Sequence, residues 1–346
     1  MHSTRSIGSF LILVALLAPG SGRAGPHSSA GPVPAGPGEE IVFHSGQVDL
    51  SGTLLRPKGP GPFPALVLLH GSGPDTRENL RPVATRLVEH GYAALIFDKR
   101  GCGRSTGSWI SSSLQDLAGD GIAAIRFLAS RPGIDSRHVG VWGCSQSGWY
   151  APLVANAEPS VSFVIVITGG GAPPRETEWL YYTHALDEAN VTAADRPRAL
   201  DIVRRYFRYL EDGNGRAELL AALDSARAAP WFSAVDVRRI LPSAELRPKW
   251  SWVSTYDPTA AIESLRVPTL VLFGGRDPFV PVSLAMERWA SSLDRSAAPH
   301  VVRLFPEAGH GLTIGAHDPE PGKERAYADD YFEAMKAFLD QATGRE

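Results

Sequence analysis

A chain of 346 residues, 43% hydrophobic and 21% charged, is long enough for one substantial core carrying an inserted subdomain. Its formal net charge of −3 excludes the basic excess that nucleic-acid binding needs, and no run of like charges marks an interaction tail. Two cysteines, Cys102 and Cys144, are too few for a disulfide-dependent framework, and the sequence does not fix whether they form one bridge.

The first 25 residues, MHSTRSIGSFLILVALLAPGSGRAG, have the parts of a secretory signal. Arg5 supplies a short basic region, residues 7–18 are apolar but too short to span a bilayer comfortably, and Gly22 and Ala24 place cleavage after Ala24. Residues 1–24 are therefore expected to be a signal peptide, and residues 25–40 a Pro/Gly-rich linker. The alternative is an uncleaved anchor; no cysteine follows the apolar run, so a lipid attachment has no support. The expectation is an exported protein, periplasmic or secreted, with no stable membrane span after cleavage.

From residue 41, IVFHSGQVDLSGTLLR reads as two short strands with turn signals at Ser45–Gly46 and Ser51–Gly52. PFPALVLLHGSG follows, a run apolar on both faces that suits an interior parallel strand and ends in His70 and Gly71. Residues 78–89 carry Leu80, Val83, Leu87 and Val88 near helical spacing. Next come a strand and loop in AALIFDKRG, a helix in DLAGDGIAAIRFLAS, a strand in VGVWGCS, a helix in GWYAPLVANA and a strand in VSFVIVITGGG. Such alternation predicts an α/β fold with a mostly parallel central sheet flanked by helices.

The alternation stops over residues 172–262, which hold helical stretches and many aromatics but no convincing buried strand. It resumes at VPTLVLFGGRD and continues through SLAMERWASSL and HVVRLFPEAGHG to YADDYFEAMKAFLDQA. Residues 172–262 thus read as a helical cap inserted into a core of residues 41–171 and 263–346. The aromatics suggest a cover with an apolar face; packing into the cap's own core is the plainer role for most of them.

Chemistry concentrates in GCSQSG. A serine between a strand and a helix has its Oγ lifted clear of the sheet, provided small residues flank it. Gly143 and Ser145 match G-x-S-x-G, with Ser147 where the second glycine would stand. Centring on Ser147 instead would put Trp149 in a small position, and Cys144 falls one residue early. Ser145 is the candidate nucleophile. A serine needs a base, and the base an orienting acid. Asp277 leaves the strand TLVLFGG for a loop, and His310 lies between two glycines after the last strand. His70 precedes the nucleophile, His317 comes seven residues later, and no histidines or cysteines stand at metal-ligand spacing. No metal or other cofactor is expected. For the oxyanion, the backbone N–H groups of Gln146 and Ser72 are the candidate donors.

In their order, HGSGP, DKRGCGRS, GCSQSGW, GGRDPFVP and AGHGL resemble the α/β-hydrolase superfamily over residues 41–342. The S-Q-S-G-W variant and short HGSGP loop are similar to bacterial esterases of the dienelactone-hydrolase and acyl-thioesterase branches. Dienelactone hydrolases carry cysteine at the nucleophile position, where this chain has Ser145, so their substrate is not transferred. The resemblance implies an architectural loop from Asp98 to Ser105, with Asp98 and Arg100 fixing it. The expected activity is hydrolysis of a small carboxylic ester with an apolar part, as by a carboxylesterase. A serine peptidase is second, an acyl thioesterase third, and a non-catalytic binding protein on the same fold is the alternative of another class.

Overall fold

In the computed structural model, residues 38–315 and 325–345 are described. The expected signal peptide, nearly all of the linker, and His317 lie outside them. β1 (Glu39–Ser45) and β2 (Val48–Leu55) form an antiparallel hairpin whose turn uses Gly46 at φ 60°. Then follow β3 (Phe63–Leu69), α1 (Arg81–Glu89), β4 (Ala93–Phe97) and α2 (Leu114–Ala129). β5 (Ile134–Cys144), α3 (Ser147–Ala157) and β6 (Val161–Ile167) complete the first part.

Six helices separate β6 from the next strand: α4 (Pro174–Glu188), α5 (Arg196–Asp212), α6 (Arg216–Ala226), α7 (Arg247–Trp250), α8 (Trp252–Thr255) and α9 (Thr259–Glu263). The chain then returns to the sheet through β7 (Thr269–Gly274), α10 (Val282–Ser296), β8 (His300–Phe305) and α11 (Tyr331–Thr343).

The eight strands form one sheet in the order β1-β2-β4-β3-β5-β6-β7-β8. β1 and β2 are antiparallel, and every pairing from β4 to β8 is parallel. In the interior strands alternate residues point to opposite layers. Ala65, Val67 and Leu69 join the core beneath α2, α3 and α10, whereas Leu66 and Leu68 join the core beneath α1 and α11. That two-sided burial is why these strands read as unbroken apolar runs.

One sequence expectation fails here. Ser51–Gly52 is not a turn but the interior of β2, with Gly52 opposite Phe97 of β4. A Cβ at Gly52 would lie 2.8 Å from the Ile96 carbonyl oxygen, so the glycine answers to close strand packing.

The helices of residues 174–263 pack largely through their aromatics. Tyr182, Tyr206, Phe207, Trp231, Trp250 and Trp252 are all buried. Tyr182 meets Phe207 edge to face at 6.4 Å, and Trp252 packs on Trp149 of α3 at 5.9 Å. These rings form the core of the inserted helices and their seam with the sheet layer.

Strand order also places the site. β3 and β5 are neighbours, but the chain leaves β3 for α1 on one layer and enters β5 from α2 on the other. The crevice at the carboxyl ends of two such strands is the topological switch point of an open α/β sheet. The loops after β3 and β5, carrying Ser72 and Ser145, face each other across it.

Candidate active site

Ser145 occupies the junction between β5 and α3 at φ 59°, a left-handed conformation that costs a non-glycine residue about 1–3 kcal/mol. Its surroundings hold it there. The Ser145 N–H donates to the Ile167 carbonyl at 3.0 Å, and the Gly148 N–H donates to the Ser145 carbonyl at 2.9 Å. A Cβ on Gly169 would stand 2.1 Å from the Ser145 carbonyl oxygen, and one on Gly143 would stand 2.8 Å from Ser147 Oγ. The small residues permit a crowded, sharp turn that projects the serine.

Ser147 is fully buried, and its hydroxyl donates to the Cys144 carbonyl at 2.8 Å. It therefore replaces a glycine without an orphaned polar group. Cys144 ends β5, as the sequence implied; its thiol is pushed up to about 11 by burial. Cys102 and Cys144 are both free thiols.

Asp277 lies just past β7 with its side chain wholly buried. One carboxylate oxygen accepts from the N–H groups of Phe279 at 2.8 Å and Val280 at 3.2 Å. The other is 2.7 Å from Nδ1 of His310. With an ionised carboxylate as acceptor, Nδ1 carries the proton and Nε2 presents its lone pair. His310 is buried in the loop after β8, held by Thr313 Oγ1 donating to its carbonyl at 3.0 Å and by Phe279 edge-on at 5.4 Å. The following Gly311 has φ 68° and donates its N–H to Thr168 Oγ1 at 3.1 Å.

Ser145 and His310 line one cavity of about 200 Å³, together with Gly71 and Ser72 from the loop after β3. Its apolar wall comes from Leu80, Val83, Trp142, Phe279 and Tyr327. None of its lining residues falls in 172–262, and most of the insertion's aromatics take the plainer role of packing with one another. Their place is the insertion's own core.

Gln146 sits at the N-cap of α3, where the positive end of the helix dipole favours negative charge. Among the described residues, the N–H groups of Gln146 and Ser72 have no hydrogen-bond acceptor, and the buried Ser72 hydroxyl has no partner.

The remaining predicted residues fall outside the chemistry. Both ring nitrogens of buried His70 are engaged, Nδ1 with Asp75 at 2.9 Å and Nε2 with the Phe97 carbonyl. Burial raises Asp75, but the His70 charge and hydrogen bond outweigh it and hold the carboxyl low. Asp98 accepts from the N–H groups of Arg77 at 3.1 Å and Arg104 at 2.9 Å. Arg100 forks onto Asp120, both bonds 2.6 Å. These groups fix the loop after β4.

Sequence reasoning passed over Lys99. It is 2% exposed, and its ammonium donates to the carbonyls of Gly71 at 2.7 Å and Gly73 at 3.0 Å and to Gln146 Oε1 at 3.1 Å. A usable signal was present: a lysine two residues beyond a fully buried strand must find acceptors inside the fold. Among the described residues no group of three or more His, Cys, Asp or Glu could hold a metal ion, and no helix is long and apolar enough to cross a membrane.

A buried strand–serine–helix elbow and a His–Asp pair at one sheet edge define the hydrolase class of α/β folds. The model of the alpha/beta hydrolase family matches residues 66–324, and the chain belongs to that family. Esterase EstD of Thermotoga maritima is 26% identical over 281 residues, covering 79% of this chain and 60% of that protein. The quorum-quenching protein AidA of Acinetobacter baumannii is 34% identical over 131 residues, 36% of this chain and 42% of that one. The chain thus spans about half the length of these curated relatives. Among solved structures, a Pyrococcus furiosus esterase superposes with a TM-score of 0.58 at 16% identity, covering 89% of this chain and 91% of its own, a likeness of fold.

Proposed function

We propose that this chain is a serine hydrolase that cleaves small carboxylic esters through an acyl-enzyme. The observation that supports it best is one arrangement: Ser145, in a left-handed elbow, shares a cavity with His310, whose Nδ1 is bonded to Asp277. In this reading Ser145 Oγ attacks the ester carbonyl carbon while His310 Nε2 takes its proton. The tetrahedral oxyanion is met by the N–H groups of Gln146 and Ser72. The ester C–O bond then breaks as Nε2 returns the proton to the leaving alkoxide. Water, deprotonated by the same nitrogen, adds to the acyl-enzyme, and the carboxylic acid departs as Ser145 recovers its proton. Asp277 stabilises the imidazolium at each stage.

The cavity bounds the substrate. Its volume of about 200 Å³ is below the roughly 300 Å³ at which drug-sized pockets begin, and its wall is mainly apolar, so a short acyl chain fits. An aminopeptidase would need a carboxylate to hold the substrate's free amine. Asp75 lines the cavity but is engaged by His70 and by the Thr76 N–H, which favours esters over aminoacyl amides. Of the relatives' names, one, an esterase, favours ester cleavage; a Klebsiella pneumoniae relative, 26% identical over 254 residues, is a 2-hydroxy-6-oxononadienedioate/2-hydroxy-6-oxononatrienedioate hydrolase, whose named substrate has no ester bond and which supports hydrolysis only in general. Export by the N-terminal signal, with the inserted helices serving as a cap, completes the reading.

A p-nitrophenyl ester series set beside aminoacyl-anilides tests it, with Ser145→Ala run in parallel. Acetyl and butyryl esters should turn over, decanoyl esters and anilides should not, and Ser145→Ala should lose hydrolysis. Anilides cleaved faster than esters would replace the reading with a peptidase; unchanged turnover in Ser145→Ala would end the assignment of the nucleophile.

A further inference from the structure

The two candidate oxyanion donors come from different loops, one after β3 and one after β5. Nothing in a β-sheet ladder fixes the distance between such loops, because both lie beyond the last paired residues, Leu69 and Gly143. Oxyanion stabilisation requires donors preorganised to a few tenths of an ångström. Tyr150 of α3 ties the start of the first loop by donating to the His70 carbonyl at 2.8 Å, and the segment around Ser72 beyond it needs its own tie.

Resting on the ester-hydrolase reading above, we infer that Lys99 is a positioning residue that clasps the two halves of the oxyanion hole. Its ammonium has three N–H donors, and three acceptors receive them. The Gly71 and Gly73 carbonyls, at 2.7 and 3.0 Å, bracket Ser72 on both sides. The third, Gln146 Oε1 at 3.1 Å, belongs to the residue whose backbone supplies the other donor. A carbonyl held in place fixes the peptide plane of the next residue, so bonds to Gly71 O and Gly73 O fix the direction of the Ser72 N–H and of the turn behind it. The Gln146 bond then registers that turn against the start of α3. Lys99 does not line the cavity, and it acts through Ser72 and Gln146.

The surroundings suit a clasp more than a stabilising ion pair. Buried Lys99 faces Trp109 at 5.7 Å from the ring centre, with no carboxylate at ion-pair distance among the described residues. Asp75, on the loop after β3, Cys102, on its own loop, and Asp120, on α2, act on it from further away. Burial lowers the ammonium to about 8, against the pull of those three groups. A neutral amine keeps two N–H donors for three acceptors, and turns a lone pair towards a carbonyl. Above that pH the clasp loses one bond.

The test uses the full chain with p-nitrophenyl acetate as probe. Lys99→Met keeps the length of the stem and removes the donors, so kcat should fall by about ten- to a hundredfold, less than loss of a donor itself, with KM changed under threefold. Fluorophosphonate should still label Ser145 in the variant. Wild-type kcat should show an alkaline decline centred near pH 8 that Lys99→Met lacks. Gln146→Met, which keeps the backbone N–H and severs one arm of the clasp, should lose kcat in the same direction, and the double variant should lose little more than Lys99→Met alone. A folded Lys99→Met with wild-type kcat and pH profile overturns the inference while leaving the hydrolase reading intact. If Lys99→Met does not fold, Gln146→Met with unchanged kcat overturns it equally. A wild-type protein with no Ser145-dependent hydrolysis fails the ester reading instead, and is recognised by its own inactivity.

Discussion

His310 and Asp277 are 33 positions apart in sequence, on loops after different strands, yet Nδ1 and Oδ2 are joined at 2.7 Å inside the fold. Two backbone N–H groups, from Phe279 and Val280, hold the second carboxylate oxygen. With its position set by the backbone, this carboxylate can hold the imidazole in one tautomer, Nε2 facing the cavity. Asp277→Asn offers an amide in place of that acceptor and favours the opposite tautomer. Its kcat should drop by about 10³–10⁴-fold with KM little altered. Steady-state kinetics on a p-nitrophenyl ester measure this, and a loss below tenfold would remove Asp277 from the mechanism.

Ser147→Gly restores the commoner motif and should leave kcat within threefold of wild type. The buried hydroxyl's bond to the Cys144 carbonyl at 2.8 Å is lost, so stability should fall by about 0.5–1.5 kcal/mol. Urea unfolding with parallel assays separates the two effects. A variant of full stability and lost activity would mean that Ser147 takes part in chemistry.

Arg100→Ala should act on stability instead. It leaves the Asp120 carboxylate, 4% exposed as a side chain, without the guanidinium that grips both of its oxygens. Breaking one partner of a buried pair costs about 3–5 kcal/mol. Denaturant midpoints should shift accordingly, while kcat per folded molecule stays within a few-fold. A collapse of kcat in fully folded protein would give Arg100 a part in the reaction.

How the site could be read from sequence follows from which interactions are local. The elbow is a matter of five consecutive residues, and Gly143, Ser145 and Ser147 stand where crowding demands small side chains. Asp277 and His310 are legible from their order, each on a loop after a later strand, which is itself a sequence pattern. Lys99 is not, because its three acceptors belong to two other loops and only the sheet order brings them together. Ser51–Gly52 reads as a turn because glycine has the same signature in a turn and where a neighbouring strand presses close. Most of the aromatics named in residues 172–262 face inward, the plainer of the two roles that composition allows them.

Glu178 of α4 gives a pH-dependent prediction. Buried with one carboxylate oxygen unpartnered, it is pushed by desolvation from an ordinary 4.5 up to about 8. The unfolded chain releases this proton near pH 4.5, while the folded chain holds it until about 8. Between those values the unfolded state binds fewer protons, so Glu178 lowers stability as pH rises through the window. Glu178→Gln, which has no proton to lose, should gain Tm over wild type at pH 8, and the difference should shrink towards pH 4. A gap independent of pH would contradict the buried, protonated state.

The proposed mechanism stands on a covalent bond formed by Ser145. Intact-mass spectrometry after exposure to a fluorophosphonate, followed by peptide mapping, tests it most directly. A single adduct on Ser145 is expected, absent from Ser145→Ala and strongly slowed in His310→Ala. An adduct mapped to Ser147 or Cys144, or folded active protein that takes up no label, would contradict it.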